Sequence, residues 1–124
     1  MDELFHFLII EESMSSRIIV REQFSQLNQR VDFVSSIEDA IIQMTSHIYS
    51  MILVDSGFYH SLTTIDFNSL IRDGRQMNQV PLVAVMVNNG VDLYHQQPLQ
   101  NYVCFTKPFS RESTLKIIEY LKNF

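Results

Sequence analysis

Tryptophan is missing from this 124-residue sequence, and cysteine occurs once, at Cys104. One thiol excludes an internal disulfide and a cysteine-based zinc cage, and a reducing cytoplasm is the simplest compartment for it. Basic residues are scarce, nine Lys and Arg against fourteen Asp and Glu, for a net charge of −5. No basic patch is available to neutralise phosphates, which excludes direct nucleic-acid binding. The three glycines, at 57, 74 and 90, form no phosphate-binding loop, dinucleotide fingerprint or nucleophile elbow. His6, His47, His60 and His95 are scattered without metal-ligand spacing, which argues against a histidine zinc site. No apolar run approaches the ~20 residues that span a bilayer, so no membrane partner is expected. The opening MDELFHFLII begins acidic and lacks a basic segment and a small-residue cleavage site, so it does not read as a signal peptide. Its Met reads as a native start. There is no repeat, low-complexity tract or internal linker.

What the chain does have is apolar surface. The hydrophobic fraction is 46%, with nine Phe and five Tyr, enough for the core of one domain spanning 1–124. Leu4 to Ile10 is an almost wholly apolar run closed by Glu11, Glu12 and Ser13, which suits a buried strand. From Ser15 to about Asn28 the period becomes helical, with Val20, Phe24 and Leu27 inward and Ser13 or Ser15 as cap. Val31–Val34 is a second strand, and Ser35 or Ser36 caps a helix with the stripe Ile37, Ile41, Met44, Ile48. Met51–Val54 is a third strand ending at Asp55, followed by a loop through Phe58, Tyr59 and His60. A helix over 63–73 with Gly74 as its stop, a fourth strand Pro81–Val87 and a turn at Asn88–Gly90 follow. The stretch 91–100 is weak and interrupted by Pro98. A fifth strand covers Tyr102–Phe105, and Ser110 caps a last helix that buries Leu115, Ile118 and Leu121, or their neighbours Ile117 and Phe124.

This alternation implies an α/β fold: a doubly wound, five-stranded parallel sheet with helices on both faces. Sites in such sheets lie beyond the carboxyl ends of the strands. That rule selects Glu11 and Glu12 after the first strand, Asp55 after the third, Met86–Asn88 at the fourth and Thr106–Lys107 after the fifth. Three carboxylates and one amine should converge on one edge. Such a cluster of like charges favours a hard divalent cation.

The segments LIIEES, MILVD, PLVAVMV and FTKPF, in this order and over the whole chain, resemble the receiver domain of two-component response regulators. The separations agree, 43 residues from Glu12 to Asp55 and 52 from Asp55 to Lys107. The resemblance implies the flavodoxin-like receiver fold. It implies that Asp55 accepts a phosphoryl group from a phosphohistidine and that Lys107 pairs first with the acceptor and then with a phosphoryl oxygen. Glu11 and Glu12, with Asp55 and the backbone carbonyl of Gly57, correspond to the ligands of Mg²⁺. Pro108 falls on the family's cis-proline position. Metal and lysine would neutralise the charge of the transferring phosphoryl group.

The sequence departs from that pattern at the switch. The acidic pair is Glu11–Glu12 rather than one containing Asp, and each Glu reaches farther by about 1.5 Å, which loosens an octahedral Mg²⁺ site. Met86 stands where a hydroxyl residue is expected, and a thioether donates no hydrogen bond. Val87 stands where a small residue admits the phosphodonor. Cys104 replaces the switch aromatic and reads as a small strand residue rather than a reactive thiol. Tyr102, two residues upstream, reads as a half-exposed tyrosine. Phe58 is expected to pack on the sheet, while Tyr59 is open between packing and an exposed contact. The degraded 91–100 segment reads either as a loose loop or as a face reworked for a non-standard partner.

Two readings follow. The favoured one is a pseudo-receiver, a bacterial, cytoplasmic signalling module that is no enzyme beyond self-catalysed phosphotransfer and dephosphorylation. Its signal leaves through a protein partner (histidine kinase, phosphotransfer protein or downstream effector) or a homodimer. The alternative is a conventional Mg²⁺-dependent phosphoacceptor modified on Asp55. A flavodoxin-like cofactor binder is a poorer third, for want of a phosphate-cradling loop.

Overall fold

The computed structural model describes residues 4–58, 82–88 and 102–124. Its strands are β1 (His6–Ile10), β2 (Arg30–Val34), β3 (Met51–Asp55), β4 (Leu82–Val87) and β5 (Val103–Thr106). The helices among the described residues are α1 (Met14–Gln26), α2 (Ile37–Gln43) and α3 (Arg111–Lys122), with a 3-10 turn at Ser56–Phe58. The expected helix over 63–73, Gly74, Tyr59, His60, most of the 88–90 turn and the 91–100 segment with His95 lie outside the described residues.

All pairings are parallel, in the order β2-β1-β3-β4-β5. The three central strands are apolar on both faces because both faces are covered. On one face Leu8, Ile10, Ile52, Val54, Val83, Val85 and Val87 pack with Ile37, Ala40 and Met44 of the α2 segment. On the other, Phe7, Ile9, Met51, Leu53, Ala84 and Met86 pack with Val20 and Phe24 of α1 and Ile117 and Ile118 of α3. The doubly covered parallel sheet expected from the sequence is therefore what forms.

Local chemistry sets the element ends. The Ser13 hydroxyl accepts from the Ser16 amide at 3.3 Å, capping α1. At its other end Asn28 takes a positive φ of 60°, a conformation Asn tolerates better than most residues. Its amide bonds Ser25 O and the Gln29 amide bonds Phe24 O, both at 3.0 Å, the paired closure that satisfies orphan carbonyls. Ser36 caps α2 and Ser110 caps α3, the latter reciprocally with Ser113.

Two expectations need correction. The helix α2 stops at Gln43, so Ile48 does not extend its stripe and is half exposed. Thr45 Oγ1 donates to Ile42 O at 2.7 Å, taking up a carbonyl at the helix end, and Tyr49 fills the core instead. In α3 the buried side chains are Thr114, Ile117 and Ile118, while Phe124 lies past the helix end and is 80% exposed. No peptide bond among the described residues is cis, the one before Pro108 included.

A polar cluster interrupts the sheet near its amino end. The Tyr49 hydroxyl donates to Asp32 Oδ2 at 2.7 Å, and His6 Nε2 approaches the same oxygen at 2.8 Å. Burial raises the Asp32 pKa, but these hydrogen bonds and the His6 charge outweigh it and hold the carboxyl below 3.8. Burial and the carboxylate push the Tyr49 phenol up to about 12. On the outer strand β2, Phe33 carries two guanidinium groups over its ring, Arg17 at 5.7 Å and Arg21 at 4.9 Å.

Candidate functional site at the carboxyl edge of the sheet

Backbone pairing carries the polar residues to one edge. The Glu11 amide bonds Val34 O at 3.0 Å, extending the β1–β2 ladder by one residue. The Lys107 amide bonds Val87 O at 2.8 Å and does the same for β4–β5. Asp55 closes β3, opposite Met86. Lys107 and Glu11 are 96 positions apart in sequence, so only the sheet topology brings them together.

The Lys107 ammonium lies 2.7 Å from Asp55 Oδ1 and 3.3 Å from Glu11 Oε1. Oδ1 is shut off from solvent; the contact has the length of a charge-assisted hydrogen bond but departs from its ideal angle, so we describe it as an ion pair. Burial pulls the Lys107 pKa down, yet Asp55 and Glu11 outweigh it and hold the ammonium above its ordinary 10.5. Asp55 Oδ2 accepts from the Gly57 amide at 3.0 Å. A Cβ on residue 57 would stand 2.7 Å from that oxygen, so glycine is what lets the 3-10 turn close over the carboxylate. Glu11 Oε2 receives a long 3.4 Å bond from the Ser13 amide.

Of the residues expected at this edge, Glu11, Asp55 and Lys107 are gathered; Gly57, expected to offer its carbonyl, meets Asp55 through its amide. Glu12 is exposed. No three His, Cys, Asp or Glu side chains among the described residues are grouped so as to hold a metal. The Lys107 ammonium stands on both inner carboxylates, Glu11 and Asp55, and no third carboxylate joins them among the described residues.

Met86 is 1% exposed and Val87 fully buried, so the edge beside Asp55 carries a thioether and a branched alkyl group. Met86 lies between Asp55 on β3 and Phe105 on β5. Cys104 is half-buried in β5, and burial raises its thiol pKa, which keeps it protonated. Phe58 packs against the α2-side core, as do the partly buried Tyr102 and Cys104. Pro108 is buried, and the Phe109 amide bonds Lys107 O at 2.8 Å, a tight turn directly after the lysine.

One contributor was not singled out from sequence. Arg17 Nε donates to the Glu11 carbonyl at 2.6 Å, and its terminal nitrogen donates to Ser35 Oγ at 2.7 Å. It ties the turn carrying the acidic pair to the turn after β2. A basic residue one helical turn past the cap was the available signal, since that place in α1 faces back toward the strand ends.

No family model matches the sequence, and no curated protein matches it. Solved structures do match. A CheY-like response regulator receiver domain from Methylobacillus flagellatus superposes with a TM-score of 0.69 at 20% identity, over 96% of this chain and 99% of that one. A receiver domain of a sensor histidine kinase from Pseudomonas aeruginosa, which has a magnesium ion coordinated in its active-site cleft, gives 0.71 at 18% identity, over 98% and 100%. A response regulator from Thermotoga maritima gives 0.70 at 17% identity, over 98% and 100%. The chain has the fold of two-component receiver domains.

Proposed function

We propose that the chain is a single receiver-like domain of two-component signal transduction with a degenerate phosphorylation switch, acting through protein–protein contact. The observation that carries this reading is Met86. A buried thioether, 1% exposed, sits across from Asp55 where the receiver pattern supplies a hydroxyl. A phosphoryl group on Asp55 would find Lys107 to neutralise it but no hydroxyl to draw toward it, so the rearrangement led by that hydroxyl has no lever. Val87 next to it narrows the approach of a donor. On this reading the module is cytoplasmic and no enzyme beyond phosphotransfer to itself. Its partners are a histidine kinase, a phosphotransfer protein, a downstream effector or a second copy of the chain.

The second reading, a conventional acceptor, is favoured by one observation, the 2.7 Å pairing of Asp55 with Lys107. Intact-mass measurement after incubation with Mg²⁺ and a small acyl phosphate separates the two. We expect no phosphoryl adduct under conditions where a conventional receiver reacts, and partner binding that survives Asp55→Asn. A stoichiometric adduct on Asp55, together with loss of partner binding in a folded Asp55→Asn variant, would establish the second reading instead.

A further inference from the structure

We propose that Arg17 is a positioning residue of this edge: it holds the backbone of Glu11 so that the Glu11 carboxylate stays on Lys107. The inference goes beyond the receiver-like reading and rests on it only for the role of the edge. Both backbone polar groups of Glu11 are held. Its amide bonds Val34 O at 3.0 Å, and its carbonyl accepts from Arg17 Nε at 2.6 Å. A residue has two soft backbone dihedrals, and fixing the peptide groups on both sides of it aims its side chain. The ladder bond alone would leave the carbonyl, and the turn through Glu12 and Ser13 behind it, free to swing.

Arg17 is itself anchored. Its amide bonds Ser13 O at 3.0 Å in the first turn of α1, and Val20 and Phe24 root that helix on the sheet. Its guanidinium carbon lies 5.7 Å from the Phe33 ring centroid, and a terminal nitrogen donates to Ser35 Oγ at 2.7 Å. A planar guanidinium carries donors on separate nitrogens at fixed angles, so it spans the Glu11 carbonyl and Ser35 at once; a lysine offers a single point. The Glu11 carboxylate is held less firmly than its backbone. Its oxygens meet the Lys107 ammonium at 3.3 Å and the Ser13 amide at 3.4 Å, both long contacts that a small swing of the turn would weaken further. Arg17 thus acts on Lys107 through Glu11.

The test is the titration of the Lys107 ammonium, followed by its ¹³Cε chemical shift in the unphosphorylated chain without added metal. Arg17→Lys retains the charge at residue 17 and gives up the two-point brace. Its Lys107 midpoint should fall by about half a pH unit, part of the roughly 1-unit fall expected when Glu11→Gln removes the charge outright. In a Glu11→Gln background, Arg17→Lys should leave the midpoint where Glu11→Gln alone puts it. Lower global stability does not move this midpoint while the chain stays folded, which circular dichroism checks across the titrated range. Ser35→Ala, at an exposed residue, carries the same expected direction and decides the matter where Arg17→Lys is not folded. A wild-type midpoint in the deciding folded variant, or a fall that persists in the Glu11→Gln background, overturns the proposal. A phosphoryl adduct on Asp55 alongside the expected titration would sink the degenerate switch and leave this inference standing.

Discussion

Replacing Lys107 with Met keeps a flexible stem and removes the charge, leaving Glu11 and Asp55 without their shared partner. The side chains of Glu11, Asp55 and Lys107 are 5%, 16% and 12% exposed, so solvent screens them weakly. At an effective dielectric of about 20, the raw attraction is roughly 6 kcal/mol at the 2.7 Å of Asp55 and roughly 5 kcal/mol at the 3.3 Å of Glu11. Desolvation consumes most of that, and deleting one member of a buried pair costs about 3–5 kcal/mol net. Asp55 retains the Gly57 amide, so we expect the lower end, about 3 kcal/mol at pH 7. Urea unfolding followed by circular dichroism reads this as a midpoint lowered by about 1–3 M for a domain of this size. Because the folded Lys107 pKa lies above 10.5, its contribution is full below that pH and is lost as pH rises through the folded value. The gap between wild type and variant should close in that alkaline window. Double-mutant cycles should give a larger coupling for Lys107→Met with Asp55→Asn than with Glu11→Gln, by up to about 1 kcal/mol, as the shorter contact requires. A loss below about 0.5 kcal/mol, or a cycle in which Glu11 dominates, would refute the geometry.

Tyr49→Phe strips one donor from Asp32 and should cost about 1–3 kcal/mol by chemical denaturation. In wild type, absorbance should detect one tyrosine ionising late, near its raised value of about 12; the stability it confers is full below pH 10 and falls as pH rises through that value. Asp32→Asn has the opposite window: the lowered folded pKa contributes stability above 3.8 that disappears as pH falls through it, so acid unfolding curves of variant and wild type should converge. Gly57→Ala places a methyl 2.7 Å from Asp55 Oδ2 and should cost about 1–3 kcal/mol, with the Asp55 carboxylate displaced in a crystal structure. Phe24→Ala, at a fully buried position under α1, should cost about 3–5 kcal/mol, visible as a large drop in thermal midpoint.

The sheet was legible because its inner strands are short, apolar on both faces and bounded by acidic or turn residues. The strand ends were legible for the same reason: parallel order alone places Glu11, Asp55 and Lys107 on one edge. Helix starts could be read to within a residue, since Ser13, Ser36 and Ser110 each cap the helix expected after them. What escaped depends on partners in other elements. Ile48 continued the period of α2 on paper, but the hydroxyl of Thr45 takes a carbonyl at the helix end, and Asp32 on another strand draws Tyr49 inward. Which member of the acidic pair turns inward could not be read from two adjacent identical residues. It is decided by the ladder bond of Glu11 to Val34 and by the reach of an ammonium 96 positions away.

The guanidinium groups above Phe33 have a consequence for self-association. An outermost strand offers unsatisfied amides and carbonyls to any similar chain, and growth by stacking begins there. Here β2 mixes Arg30 and Asp32 into that rim, and Arg17 and Arg21 roof its aromatic side chain. A second strand arriving in register would bring like charges face to face and would have to displace two cations before reaching an apolar surface. Charge on the strand and above its ring therefore makes pairing of this rim with a second copy costly.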